Sequence, residues 1–224
     1  TRSDSSAASD VYKRQTTDRS QKITMMEDGV LIGPAPYSAP AAYYVPNVNR
    51  MDAVEVLKGP ASIKYGPHTV GGAINFVTAD GPSAFDAKAS VSFGSDGYEK
   101  YEGRIGNSLG NAGFLIDGLR YSSDGFKSLD GGGDTGFVRN DINFKGKYVP
   151  SGGLPQVITL KIAWADEDSS ETYLGLTDLD FEKTPDRRYA ASHLDGFDTE
   201  HRMLHLNYGI ELNENLTVNA KAYW

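Results

Sequence analysis

The sequence predicts a mostly β chain in two unlike parts: a small glycine-punctuated globular unit, then a run of long antiparallel strands. Three observations carry this. Residues 51–78 hold four glycines and two prolines around short alternating segments, the pattern of a tightly turned unit. From Phe85 onward, apolar and polar residues alternate over segments of about ten residues. No run of 18 apolar residues occurs in the 224, which removes transmembrane helices but leaves transmembrane strands open. The chain has no cysteine, so disulfides, thiolate catalysis and zinc–thiolate sites fall together. A formal net charge of −8 argues against a nucleic-acid partner.

The elements follow in order. Ser5 to Gln15 resembles the in-frame translation of a sequencing-library adaptor, so residues 1–15 are set aside as adaptor-derived, with Gln15 marking a broken end. Ile23 and Met25, then Glu27-Asp28-Gly29 and Val30-Leu31-Ile32, read as strand, turn and strand. Residues 33–46 carry four prolines and three tyrosines, a rigid aromatic-tipped loop. Asn47 to Met51 predicts one helical turn. Val54 and Val56 alternate with Glu55, the turns fall at Gly59-Pro60 and Tyr65-Gly66-Pro67, and Gly71-Gly72 opens a last strand through Ile74, Phe76 and Val77.

Seven alternating segments come next, at 85–93, 98–107, 113–122, 138–148, 156–166, 204–212 and 216–224. In the third, Leu115 and Leu119 compete with Phe114 and Ile116 for the apolar face, and its facing is left open. Connections near residues 108–110, 151–153 and 213–215 are short; those at 124–136 and 166–198 are long and polar. Short turns at one end and long loops at the other suit an outer-membrane barrel. So do strands of about ten residues, aromatics at strand ends (Phe85, Phe93, Tyr148, Trp164, Trp224), and polar faces of Lys, Arg, Asp and Asn fit for a wet or plugged lumen. A soluble β-sandwich shares the alternation, which alone leaves the two readings close to even.

No enzyme constellation emerges. His201 and His205 stand at a spacing that serves a metal on a helix, but on a strand they lie about 13 Å apart. Asp166, Glu167 and Asp168 lack the glycine and oxygen spacing of a Ca²⁺ loop. Gly131-Gly132-Gly133 lacks the Lys-Ser/Thr of a phosphate loop.

Val54-Glu55-Val56-Leu57-Lys58-Gly59-Pro60, Tyr65-Gly66-Pro67 and Gly71-Gly72-Ala73-Ile74-Asn75-Phe76-Val77-Thr78 closely resemble the plug domain of TonB-dependent outer-membrane receptors. Residues 171–178 and 187–192 resemble the ferric dicitrate subgroup. The resemblance implies a mixed α/β plug followed by antiparallel strands of a transmembrane β-barrel, about 22 strands in the whole family member. It divides the chain into residues 1–15, a plug part at 16–82 and the N-terminal barrel part at 83–224. A TonB box, the first plug half and roughly two thirds of the barrel would lie outside this sequence.

The resemblance further implies an uptake receptor for a ferric chelate, powered by TonB with ExbB and ExbD and set in outer-membrane lipid. Iron would pass as part of its chelate, not as a resident cofactor. Receptors of the same class for cobalamin, another metal chelate or an oligosaccharide share every plug motif. Less favoured readings are a soluble β-rich adhesin or a sugar-processing enzyme. Tyr37, Tyr43, Tyr44 and His68 are implied at the plug apex, in contact with substrate. An anionic, oxygen-rich chelate calls for cationic donors, and Arg187 and Arg188 are candidates for an anion-catching lid, with solvated loop charges the equal alternative. Glu55 and Lys58 are read as plug–barrel salt bridges, and Gly59, Gly66, Gly71 and Gly72 as plug turns.

Overall fold

The computed structural model describes residues 23–32, 44–58, 65, 69 and 71–224. The chain divides into two compact units, Thr1–Ala79 and Asp80–Trp224. Residues 1–15, Tyr37, Tyr43, Gly59, Gly66 and His68 lie outside the described residues.

In the first unit, β1 (Ile23–Glu27), β2 (Val30–Leu31), β3 (Met51–Leu57) and β4 (Gly72–Thr78) form one sheet in the order β2-β1-β4-β3. The β1–β2 hairpin closes through Asp28 and Gly29, both at positive φ (51° and 75°), the conformation a two-residue hairpin turn requires. Asp28 is tied across the sheet: its carboxylate accepts from the Thr78 N–H at 2.9 Å and from the Thr78 hydroxyl at 2.6 Å. Asn75 accepts from the Gly29 N–H at 2.8 Å. The turn is thus held by β4, which runs parallel to β1. Gly72 sits at φ +136°, where an added Cβ would stand 2.6 Å from the Leu57 carbonyl oxygen of β3, so only glycine lets the two strands close here.

A buried ion pair joins the 3₁₀ turn Val48–Arg50 to β1. The Arg50 Nη2 donates to both Glu27 carboxylate oxygens, at 2.8 and 2.9 Å, and to the Tyr44 hydroxyl at 2.7 Å. Arg50 and Glu27 are almost wholly shielded, with side chains 1% and 0% exposed. Met26, Val30, Ile32, Ala73 and Phe76 supply the small apolar core around them.

The second unit is an antiparallel meander. It comprises β5 (Asp86–Phe93), β6 (Glu99–Leu109), β7 (Ala112–Ser123), β9 (Phe137–Tyr148), β10 (Gln156–Ser169), β12 (Phe197–Asn213) and β13 (Leu216–Tyr223), paired in sequence order. Two two-residue strands, β8 (Ser128–Leu129) and β11 (Arg187–Arg188), pair with each other in the long loops. All seven alternating segments fall on the seven strands of this sheet. Two run further than the apolar pattern suggests: β10 continues to Ser169 and β12 begins at Phe197, because their ladder persists through Asp166↔Glu200, Glu167↔Thr199 and Asp168↔Asp198. The open facing of the third segment is resolved by Asp117, which is buried between Leu115 and Leu119 and accepts from Asn143 Nδ2 at 3.0 Å.

The sheet is inside out relative to a soluble protein. One face buries Asp117, Asp141, Asn143, Lys145, Lys161 and His205; the other exposes Ile142, Ile162, Leu204 and Leu206 at 51, 48, 42 and 46%. A soluble sandwich would bury the second set and solvate the first.

The exposed apolar side chains also mark a level slab. On β5 and its preceding residue the band runs Phe85, Ala87, Ala89, Val91, Phe93; on β12 it runs Leu204, Leu206, Tyr208, Ile210, Leu212. The cross-strand register leads from Ala89 through Gly103, Gly118, Ile142 and Trp164 to Arg202, six residues from the centre of the β12 band at Tyr208. Strands about 4.8 Å apart and tilted by about 40° displace a level plane by roughly 1.2 residues per strand, or roughly six over five steps. The pattern is that of tilted strands crossing a flat apolar layer.

The segment entering the sheet is strapped to the polar face at the short-turn end. Asp80 pairs with Lys145 at 2.7 Å and with Lys147 at 3.1 Å, and the Ser108 hydroxyl donates to the Pro82 carbonyl at 2.7 Å. Gly81 and Gly106 are required by closeness: a Cβ would meet the Phe114 carbonyl oxygen at 2.8 Å from either. Burial pushes the Asp80 carboxyl up, but the two lysines outweigh it and hold it below its usual value.

Candidate functional site

The long-loop end of the sheet carries the built chemistry. Residues 124–136 connect β7 to β9, and residues 170–196 connect β10 to β12. The second loop contains α1 (Asp178–Lys183), whose N-cap Thr177 hydroxyl accepts from the Asp180 N–H, and a 3₁₀ turn at Ala190–Ser192.

The two loops are joined at several points. Strands β8 and β11 run parallel, with the Ser128 N–H donating to the Asp186 carbonyl at 2.7 Å and the Asp130 N–H to the Arg188 carbonyl at 2.8 Å. The Ser170 N–H donates to the Gly136 carbonyl at 2.9 Å. Arg187 makes a fork on Asp130, through Nε at 3.0 Å to each oxygen and Nη2 at 2.8 Å, and its Nη1 lies 3.3 Å from Asp180. Its guanidinium stacks 5.0 Å from the Tyr189 ring centroid, and the Tyr189 hydroxyl donates to Asp180 at 2.5 Å. Arg188 points inward and is 4% exposed; it donates to the Ser170, Ser192 and Asp195 carbonyls and to the Ser192 hydroxyl.

A cavity of about 290 Å³ opens beneath this clasp, lined by Phe126, Lys127, Phe137, Glu171, Thr172 and Arg188 among others. It presents two aromatic side chains, an ammonium, a guanidinium and a carboxylate, a mixed polar and aromatic lining.

These contacts revise the role read for the two arginines. Arg188 spends its donors on loop carbonyls, and Arg187 is faced by two carboxylates, so neither is placed to catch an anion; both fasten the loops. Tyr44 is likewise turned inward, 7% exposed with its hydroxyl on Arg50, and has no face for a ligand in this arrangement. Glu55 accepts from Asn75 Nδ2 of the neighbouring strand at 2.9 Å, Lys58 is exposed just past β3, and Gly71 is exposed before β4. His201 and His205 share the polar face of β12, and no cluster of three metal-ligating side chains occurs among the described residues. Asp130, Asp180 and Tyr189 went unread in the sequence. They stand 50 and more residues apart along the chain or inside a polar loop with no period, and only the β8–β11 pairing brings Asp130 to Arg187.

The clasp has a defined acid limit. The Arg187 hydrogen bonds hold the Asp130 carboxyl below its usual range, and the Tyr189 hydroxyl, with Arg187 behind it, does the same for Asp180. Carboxylates depressed in the folded state stabilise it above their unfolded values and lose that contribution as pH falls through the folded ones. Hydrogen exchange at residues 128–130 and 187–188 is therefore expected to stay slow from neutral pH down to about 4 and to accelerate together below the ordinary carboxylate range. Exchange that rises between pH 7 and 5 would contradict this ion-pair assignment.

A strand-only sheet with a polar buried face, a level apolar outer band and long loops at one end defines a membrane β-barrel wall. Ahead of it in the chain stands a separate compact β unit. Residues 1–73 match the TonB-dependent Receptor Plug Domain family. Over 143 residues the chain is 29% identical to a vitamin B12 transporter, BtuB, of Photobacterium profundum, a match covering 63% of this chain and 22% of that protein. Its structure resembles that of the ferric citrate transporter FecA in the unliganded form, with a TM-score of 0.76 at 20% identity, over 94% of this chain and 32% of that one. It also resembles the copper transporter OprC, with a TM-score of 0.65 at 18% identity, over 90% of this chain and 29% of that one. Residues 1–73 thus match the plug domain of TonB-dependent receptors, residues 80–224 share the fold of the barrel wall of such proteins, and the chain spans about a fifth to a third of the length of these relatives.

Proposed function

We propose that this chain is the plug and first barrel strands of a TonB-dependent uptake receptor for a ferric chelate of the citrate type. The observation that carries the reading is the structural likeness to the ferric citrate transporter over 94% of the chain. In this reading, the chelate enters at the long-loop end and meets the plug apex, where His68 with Tyr37 and Tyr43 contributes donors and polar aromatic faces. TonB, energised with ExbB and ExbD, then pulls on the plug, and the chelate passes through the lumen along the polar face of the sheet. The steps are binding and release; no bond in the chelate is broken by the protein.

The test is uptake of radiolabelled iron citrate by cells whose sole receptor is the full-length protein containing this chain. Iron accumulation that depends on TonB is expected; accumulation of labelled cobalamin instead would favour the second reading, for which the 29% identity to a vitamin B12 transporter speaks. His68→Ala is expected to weaken chelate binding about tenfold, the loss of one charge-assisted hydrogen bond. Unchanged binding in that variant would leave His68 a turn residue only.

A further inference from the structure

The cavity beneath the loop clasp has fixed walls and two charges that the fold leaves unused. All of its lining residues belong to the second unit. The Thr135 hydroxyl donates to the Lys127 carbonyl at 2.8 Å, tying the chain at Phe126 and Lys127 across its own loop. Phe137 is held edge-on by Tyr121, with ring centroids 5.1 Å apart. From the other loop, the Ser170 N–H donates to the Gly136 carbonyl at 2.9 Å and the Thr172 hydroxyl donates to Asp195 at 2.6 Å, so the residues on either side of Glu171 are anchored. Walls ordered in advance lower the cost of binding.

Three charged side chains line the cavity, and they are not committed alike. Arg188 has its donors on the Ser170, Ser192 and Asp195 carbonyls. Lys127 lies 6.0 Å from the centroid of the Phe126 ring. Among the described residues, neither Lys127 nor Glu171 makes an ion pair or a side-chain hydrogen bond, with each other or with a third group. The two groups left with free hydrogen-bonding capacity are therefore opposite in sign and come from different loops. A polycarboxylate would satisfy Lys127 but be opposed by Glu171. A molecule carrying one cation and one anion a few bonds apart satisfies both. Phe126 and Phe137 add apolar surface beside them, against which an aromatic or branched side chain packs. A volume of about 290 Å³ lies at the small end of ligand pockets, room for a molecule of about a dozen non-hydrogen atoms.

We propose that this cavity binds a small zwitterion, an α-amino acid with an aromatic or branched apolar side chain. Its carboxylate meets the Lys127 ammonium, its ammonium meets Glu171, and its side chain lies against Phe126 and Phe137. The bound molecule joins loop 124–136 to loop 170–196, and so adds a link drawn from solution to the β8–β11 ladder and the Arg187 fork. This inference goes beyond the cargo reading and rests on the loops alone.

The test uses the full-length receptor purified in a non-ionic detergent and titrated calorimetrically with L-phenylalanine, its amide and its N-acetyl derivative. Phenylalanine is expected to bind with a Kd of about 0.1–1 mM, the range open to a ligand of about a dozen non-hydrogen atoms. The amide lacks the carboxylate and the N-acetyl derivative lacks the ammonium; each is expected to bind about tenfold more weakly, the loss of one charge-assisted contact. Glu171→Gln is expected to erase the preference over the N-acetyl derivative, and Lys127→Gln the preference over the amide, while Lys183→Gln on α1 leaves both in place. Phenylalanine is also expected to slow hydrogen exchange at residues 128–130 and 187–188, which binding elsewhere on the receptor would not do. Absence of phenylalanine binding at about ten times the expected Kd overturns the proposal. Equal affinity of the unaltered receptor for the three compounds does so too, whether or not the variants fold, as does an undiminished preference in a folded Glu171→Gln receptor. None of these measurements depends on iron citrate uptake, which tests the cargo separately.

Discussion

Arg50→Met is expected to destabilise the plug unit by roughly 3–5 kcal/mol, the cost of leaving a buried charge without its partner. Arg50 and Glu27 are shielded almost completely, and Arg50 spans both carboxylate oxygens and the Tyr44 hydroxyl through one nitrogen. Methionine keeps an unbranched stem but takes the guanidinium away from Glu27 on β1, beside Met26 and Val30 in the small core. The sign of the companion experiment separates this from a packing effect. Replacing both residues together, Glu27→Leu with Arg50→Met, is expected to recover most of the loss, because an apolar pair needs no desolvation. Urea titration of the purified receptor, followed by protease cleavage within residues 23–79, measures both. A double variant no better than the single one would mean that the pair serves geometry and not charge compensation.

The pair also shows where sequence reading reaches its limit. Strands of the barrel were legible because lipid on one side and a polar lumen on the other impose period two over ten residues, and nothing in the chain competes with that rhythm. The Asp28-Gly29 hairpin was legible because its turn chemistry is local. Glu27 and Arg50 are 23 residues apart, on a strand and a one-turn helix, and no period links them. The same holds for the loop clasp: β8 and β11 are two residues each, too short to leave a pattern, and Asp130 meets Arg187 across 57 residues of chain. Arg187 and Arg188 stood out as adjacent cations, but adjacent residues on a strand face opposite ways. One forks a carboxylate while the other turns into the loop. The β7 strand was ambiguous for a different reason. Both of its faces carry large apolar residues, and the deciding residue, Asp117, takes its meaning from Asn143 on β9.

Arg120 and Arg188 make a useful contrast. Each is a loop-end arginine surrounded by polar sequence, and composition treats them alike. Register separates them: Arg120 lies on the outward face with a neutral partner, Arg188 inside a nest of carbonyls. The chemistry available to a cation in this fold is therefore set by which side of the sheet it occupies and by its height on the strand.

Leu206→Arg is the second large effect, and it tests the inversion of the sheet directly. Leu206 is 46% exposed on β12, one step along the outward face from Tyr208 at the centre of the apolar band. In a soluble sheet, arginine at a half-exposed position changes stability by about 0.5 kcal/mol or less. Near the middle of a bilayer the same change costs roughly 2–4 kcal/mol, because the guanidinium must be drawn into hydrocarbon or reach out of it. Lys161, the residue across β10 from His205, provides the mirror image: it is a buried lysine on the polar face, 1% exposed, where a soluble core would hold leucine. Folding of the full-length receptor into lipid vesicles, read by heat-modifiable migration and urea titration, is expected to weaken by roughly 2–4 kcal/mol for Leu206→Arg. Arginine at Leu212, at the lower edge of the same band, is expected to cost about 1 kcal/mol or less. That dependence on depth distinguishes a membrane slab from a patch of surface hydrophobes, which would respond equally at both positions.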